Sequence, residues 1–282
     1  MAIFVIVILL VGWAFAEFSN FGYPSLVLAF IISLAMSLGS YYQGDKIALL
    51  TAGAKGPIEQ STNPYVYRLV ENLAITGGLP MPKVYIISDP AINAFATGRN
   101  PQHASVAITT GAIEKLANEE LEGVIAHELS HVKNYDILLM TVVIVLVGLL
   151  VLLSDWFIRI RMFGGKNNNH DSDNKLQGIL MIVGIILLIL SPIIGQLIQL
   201  AISRKREFLA DASGSLLTRY PEGLAKALEK IAKENLALKQ ANNATAHLYI
   251  ANPFGKTKHF MSGLFATHPP IEERIAILRK MI

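Results

Sequence analysis

Two histidines four residues apart with a glutamate beside the first, His127-Glu128-Leu129-Ser130-His131, are the residues of this chain best suited to chemistry. On a helix, positions i and i+4 share a face, so both imidazoles can be aimed at one ion. Glu128 is offset by one position from His127, which lets its carboxylate reach a water held by that ion without itself binding the ion. From there it can take the water's proton as a general base and hand it to a leaving amine. The pattern is short, and alone it is also compatible with two ordinary surface histidines on a helix near a membrane.

Two histidines do not complete such a site. A catalytic zinc has three protein ligands and an open position. The chain has no cysteine, so the third ligand must be His, Asp or Glu. The stretch Ser203-Arg204-Lys205-Arg206-Glu207-Phe208-Leu209-Ala210-Asp211 offers Glu207 as the strongest candidate. Asp211 follows four residues later on the same helical face, where it can orient a ligand histidine through a hydrogen bond. The plainer reading of Glu207 is a solvated charge among Arg204, Lys205 and Arg206.

The elements that must position these residues are partly legible. Residues 121–134, LEGVIAHELSHVKN, carry helix signals. Asn118 is placed to cap the start, Glu119, Glu120 and Glu122 favour the positive end of the helix dipole, and Lys133 sits in the last turn. Asn134 is placed to close the helix in a left-handed conformation. Around this segment lie four apolar runs, residues 2–16, 24–40, 137–153 and 178–202. About 20 apolar residues span a bilayer; the last two runs meet this, and the first two are short, joined by the polar link 17–23. No Lys or Arg precedes the first run, so it reads as an uncleaved anchor rather than a signal peptide.

The expected organisation is therefore an N-terminal membrane hairpin (1–41), a discontinuous soluble domain (42–136 with 203–282) and a second membrane hairpin inserted into it (137–202). A hairpin returns the chain to the face it left, so Asp136 and Arg204 should emerge together. At about 1.5 Å of rise per residue, His131 and Glu207 then lie within about 10 Å of one membrane surface. Lys46, Lys55 and the run Arg204-Lys205-Arg206 place the soluble parts in the cytoplasm; Arg159, Arg161, Lys166 and Lys175, in the link between the third and fourth runs, weigh against that orientation.

Composition narrows the function classes. Hydrophobic residues make up 52% of the chain and charged ones 16%, against about 25% charged in a soluble domain. The net charge of +3, with no basic stripe interleaved with aromatics, leaves no case for nucleic acid. A transporter would carry ionisable residues within its apolar runs, and these runs hold none. A non-catalytic metal-binding scaffold or holdase remains as the alternative, although Glu128 would serve no purpose there.

Residues 84–87, 94–97 and 105–109 read as short strands from their β-branched and aromatic content. A strand edge beside the histidine helix could bind an extended peptide by strand addition, and Asn93, Ala94, Phe95 and Ala96, through Thr97, or the neighbouring residues 105–109, are the candidates. His268 and Arg274 are candidate contacts to a tetrahedral intermediate; the plainer readings are a turn or helix start for His268 and an ion pair for Arg274. Residues 224–238 read as a packed helix, and His103, His170, His247 and His259 as surface residues.

HELSH at residues 127–131, an apolar hairpin, EFLAD at 207–211 and THPPIEERI at 267–275, preceded by two apolar runs and by NAFATG at 93–98, together resemble the HtpX-type membrane metalloproteases, relatives of the CAAX prenyl proteases. The resemblance covers nearly the whole chain. It implies an α+β, mainly helical fold in which a small gluzincin-like domain with a short β-sheet is joined to transmembrane helices, four by the count of apolar runs. It implies one Zn2+ per chain on His127, His131 and Glu207, with Glu128 as the base that activates the zinc-bound water. It further implies cleavage of cytosol-exposed segments of unfolded or damaged membrane proteins, by a multi-pass protein of the cell membrane lipid bilayer. No function is evident for the polar stretch 164–173 with its three successive asparagines.

Overall fold

The computed structural model of the chain describes residues 5–6, 9, 13, 23–142, 204–234, 236–239, 248–250 and 269–281. His268, the stretch 164–173, the fourth apolar run and most of the first and third lie outside these residues, as do His170, His247 and His259. The chain divides into two compact units, Met1–Gln43 with Ile144–Leu197 and Gly44–Val143 with Ile198–Ile282. The candidate chemistry lies in the second.

The second apolar run belongs to a long helix, α1 (Tyr23–Thr51), of 29 residues, which continues well past the expected end at Ser40. Its stretch Leu26–Thr51 is the one segment among the described residues long and apolar enough to cross a membrane. Val27, Leu28, Ile31, Ile32, Leu34 and Leu38 are exposed along it; apolar side chains standing outward in that number suit a lipid solvent rather than water. Its last turns bury Ala48 and Leu49.

The second unit is built on a four-stranded sheet of β1 (Ala54–Lys55), β2 (Lys83–Ile87), β3 (Ala94–Gly98) and β4 (Ala104–Thr109), in the order β1-β2-β4-β3. β4 runs parallel to β2, with Val84 beside Val106, and antiparallel to β3, with Ala96 beside Val106. The three expected strands are thus present, within a residue of the expected bounds. β4 is central and buried along its whole length, as its unbroken run of small and β-branched residues requires. Ser105–Thr109 is therefore not a sheet edge, which corrects one of the two expected peptide-binding edges. β3 is an edge strand, and its outward groups are engaged within the protein: the Ala94 carbonyl accepts from the Ile250 N–H at 3.2 Å and the Thr141 hydroxyl donates to the Gly98 carbonyl at 3.2 Å.

The helices of this unit are α2 (Pro64–Gly77), α3 (Thr110–Lys115), α4 (Asn118–Lys133), α5 (Arg204–Thr218), α6 (Pro221–Glu234) and α7 (Ile271–Arg279); α4 packs on β3 and also against α5 and α6. α4 is central to the core, burying Leu121, Val124, Ile125 and Leu129 in one cluster with Val106 and Ile108 of the sheet and Leu224 and Leu228 of α6. α6 stops at Glu234, short of the expected Leu238. The start of α4 also differs from expectation. Ala117, not Asn118, is the N-cap residue, and its N–H donates to the Glu120 carboxylate at 2.7 Å, so the cap is made from inside the helix. At the other end Asn134 keeps a negative φ of −86° and Tyr135 takes the left-handed turn at φ 61°.

Two glycines set how closely α4 meets its neighbours. A Cβ on Gly214 of α5 would stand 2.9 Å from the His127 N, and one on Gly123 of α4 would stand 2.7 Å from the Leu224 N. Both contacts are backbone against backbone, so no side chain can yield. The first brings the Glu207 helix directly against the His127 turn.

Candidate metal centre

His127, Glu128 and His131 come from one face of α4, and Glu207 from the first turn of α5. All four are buried, Glu207 completely. The Nε2 atoms of His127 and His131 face one another at 3.3 Å. Glu207 closes the triangle, its Oε2 at 3.8 Å from His127 Nε2 and its Oε1 at 3.6 Å from His131 Nε2. One ligand atom from each of the three residues lies within 4.8 Å of the others.

The far sides of the two rings fix what those Nε2 atoms present. His127 Nδ1 lies 2.9 Å from Asp211 Oδ1, and His131 Nδ1 lies 3.1 Å from Asp136 Oδ2. A proton on each Nδ1, donated to its carboxylate, leaves both Nε2 lone pairs turned into the same small space. Two lone pairs at that distance repel unless a cation lies between them. Two nitrogens bound to one tetrahedral zinc at about 2.0–2.1 Å stand about 3.3 Å apart. The donor set, two imidazoles and a carboxylate, therefore fits a divalent cation in both chemistry and spacing.

Electrostatics point the same way. Burial holds the His127 imidazole neutral, down to about 4. Burial also opposes a charge on His131, but the Asp136 carboxylate bonded to it and those of Glu207 and Glu128 outweigh this and raise it to about 9. A proton on His131 answers the negative charge of these three carboxylates; a cation beside the two Nε2 atoms would do the same with His131 neutral. Burial pushes the Glu128 carboxyl up to about 8, with Glu207 adding to the shift.

The remaining expected site residues divide. Asn93, Ala94, Phe95 and Ala96 lead into and form β3 beside α4, and the Ala96 N–H donates to Glu128 Oε2 at 2.9 Å. Arg274 is fully buried and grips Asp211, Nε to Oδ2 at 2.9 Å and Nη2 to Oδ1 at 2.7 Å, while Nη1 donates to the Ile250 carbonyl at 3.2 Å. Burial works against a charge on Asp211, but Arg274 and His127 outweigh it and hold the carboxyl at about 2. Arg274 thus stands on the Nδ1 side of His127, away from the Nε2 atoms. That is the ion-pair alternative, made with an Asp, and it differs from the expected contact to a tetrahedral intermediate.

Residues 60–282 match the family described as Peptidase family M48. The chain belongs to peptidase family M48. It is a metallopeptidase. Over 280 residues it is 45% identical to a protein of Caldanaerobacter subterraneus subsp. tengcongensis named "Protease HtpX homolog", covering 99% of this chain and 92% of that one. It is 44% identical over 279 residues to one of the same name from Thermoanaerobacter pseudethanolicus, with the same coverage. Among solved structures the fold is similar to the crystal structure of S. mikatae Ste24p, with a TM-score of 0.56, 20% identity and 96% of this chain covered. The chain spans 62% of the length of Ste24p, and the likeness is one of fold.

One residue of this M48 site escaped the sequence reading. Asp136 stands behind His131 as Asp211 stands behind His127, yet it lies just past the turn Asn134–Tyr135 that ends α4, at the start of the next helical stretch and five residues from His131, outside the i+3/i+4 spacing. The signal available was an acid that is 1% exposed here placed immediately before an apolar run.

Proposed function

We propose that this M48 chain is a membrane-embedded zinc endopeptidase that cleaves cytosol-exposed segments of damaged or misfolded membrane proteins. The convergence of His127, His131 and Glu207 beside a glutamate outside the triangle carries the reading. In this reading those three residues hold one zinc ion. When bound there, zinc polarises a peptide carbonyl and acidifies water in the cleft.

The chain's own residues do the rest. Glu128 holds its Oε2 on the Ala96 N–H, which fixes the carboxylate beside the triangle and leaves Oε1 to take a proton from water. Its raised proton affinity, near 8, suits a group that accepts a proton and then returns it to the departing amine. Asp211 and Asp136 keep each imidazole in the tautomer that presents Nε2. Arg274 acts as a positioning residue that neutralises Asp211 and stops it from drawing the proton off His127. β3 lies alongside, and residues 93–97 would form the wall for an extended peptide on release of the bonds that now engage Ala94 and Gly98.

The membrane assignment is supported by the apolar, outward-facing α1. In this proposal the other three apolar runs complete a four-helix, multi-pass anchor in the cell membrane, with both soluble segments in the cytoplasm. Lys46, Lys55 and the Arg204-Lys205-Arg206 cluster support that orientation.

The test is proteolysis of an unfolded model membrane protein by the purified, zinc-loaded chain in detergent, beside Glu128→Gln. The wild type is expected to cleave and the variant to keep zinc but lose activity by about 10²-fold or more. A wild type that binds zinc and cleaves nothing across several unfolded substrates would replace this reading with the non-catalytic scaffold or holdase.

A further inference from the structure

The two expected ligand histidines are supported differently, and one support reaches across the chain. Asp136 is 1% exposed. Its Oδ2 takes the His131 Nδ1 at 3.1 Å, and its Oδ1 is bonded by Arg206 Nη1. Arg206 immediately precedes Glu207. Asp136 is the last residue before the apolar run at 137, and Arg206 follows the apolar run that ends at 202. One carboxylate therefore joins a histidine of α4 to the turn of chain that supplies the carboxylate of α5.

We propose that Asp136 is a positioning residue for His131 and that Arg206 clamps it, so that the pair sets the metal affinity of the centre and registers whether the chain on the two sides of residues 143–203 is brought together. The proposal rests on the metal-site reading above. The chemistry is specific to a carboxylate. An Asp Oδ accepts the Nδ1–H, fixing the ring's tautomer and rotation and making Nε2 a better donor. A buried carboxylate with no cation beside it is costly, and Arg206 supplies that cation from the side facing away from the ring. Its side chain is 42% exposed, so it contributes charge at the rim without being part of the packed core. Arg206 also ties the start of α5 down beside Glu207, so the clamp acts on two of the three ligands at once.

The structural alternative is that Asp136 merely closes the turn after α4. The two are separated by measuring metal binding apart from folding. The probe is Zn2+ titrated into the full chain in detergent against a chelating dye, at low ionic strength, with the thermal midpoint of the metal-free protein recorded in parallel. Wild type should bind one equivalent and His131→Ala should not. Asp136→Asn keeps size and shape but can offer His131 its NH2 as well as its oxygen; it should lose about 10- to 100-fold in zinc affinity. Arg206→Gln should lose about two- to fivefold, as an exposed arm of an ion pair does, and Arg206→Lys should recover most of that. Zinc affinity within twofold of wild type in Asp136→Asn, or no loss at all in Arg206→Gln, overturns the proposal, whatever happens to the thermal midpoint. A wild type that binds no zinc overturns the site reading on which it stands, and that outcome is distinct because it appears before any variant is compared.

Discussion

The supports behind His127 and His131 use the same parts, an aspartate held by an arginine, in opposite settings. Asp211 and Arg274 are both buried, joined by two hydrogen bonds, and enclosed by α4, α5 and the Leu248–Ile250 stretch. Asp136 is just as buried, but its arginine stands 42% exposed at the edge of the domain. Desolvation decides what each can do. A charge pair removed from water is costly to break and insensitive to what lies outside. A pair with one arm in solvent is cheap to break and responds to salt and to the position of the chain that carries it. The first is thus a fixture of the fold, and the second an adjustable part of the site.

The largest expected effect falls on the buried pair. Arg274→Met removes the only cation paired with Asp211 among the described residues and leaves a carboxylate in a dry core. The metal-free protein should lose about 3–5 kcal/mol, read as a fall in the denaturant midpoint, with zinc binding lost along with the fold. If Arg274→Met unfolds at the wild-type midpoint, the contrast between the two supports is wrong at its root. Asp136→Asn should show the reverse balance, a large loss of zinc affinity with a midpoint close to wild type.

The contact between α4 and α5 gives the next effect. In Gly214→Ala, the added methyl would meet the His127 backbone at 2.9 Å, so α5 must back away from α4. Alanine gains about 1 kcal/mol in helix propensity, and overpacking costs about 1–3 kcal/mol, so the net is a loss of about 0–2 kcal/mol. Activity should suffer more, since a shift of about 1 Å in Glu207 against the histidines can cost about 10²-fold. A Gly214→Ala enzyme with kcat/KM within threefold of wild type would mean that the triangle tolerates slack between its two helices.

These contrasts also mark what the sequence made legible. The strands β2, β3 and β4 were readable because β-branched runs between turn residues have few other uses. His127 and His131 were readable because ligand spacing on a helix repeats the helix period. Glu207 was readable only through the apolar runs between it and the histidines, which bring distant residues to one surface. Asp136 was not, because it supports His131 from beyond the turn that ends α4, where no helical period links a residue to its partner. Arg274 was found with both roles open, a contact to the reaction or an ion pair, because sequence shows a cation near the site and not which side of the ring it stands on. The order of the strands was equally hidden, since pairing of β4 between β2 and β3 depends on contacts between residues that the local pattern does not rank. The N-cap of α4 was misplaced by one residue because the Glu120 side chain, rather than Asn118, makes it, while Asn134 is the C-cap as expected but leaves the left-handed conformation to Tyr135.

The smallest effect is the sharpest test of the half-exposed arm. Raising ionic strength to about 1 M shortens the screening length to about 3 Å, which weakens Arg206 on Asp136 but leaves Arg274 on Asp211 untouched, because no ions enter the core. Zinc affinity measured in a non-coordinating salt should therefore fall about two- to fivefold in the wild type beyond any fall seen in Arg206→Gln, where the arm is already gone. The comparison between the two proteins removes the general effect of salt on zinc, leaving the contribution of one guanidinium. Equal salt slopes in the two would place Arg206 outside the support of His131, and the adjustable character of that side of the site would have to come from Asp136 alone.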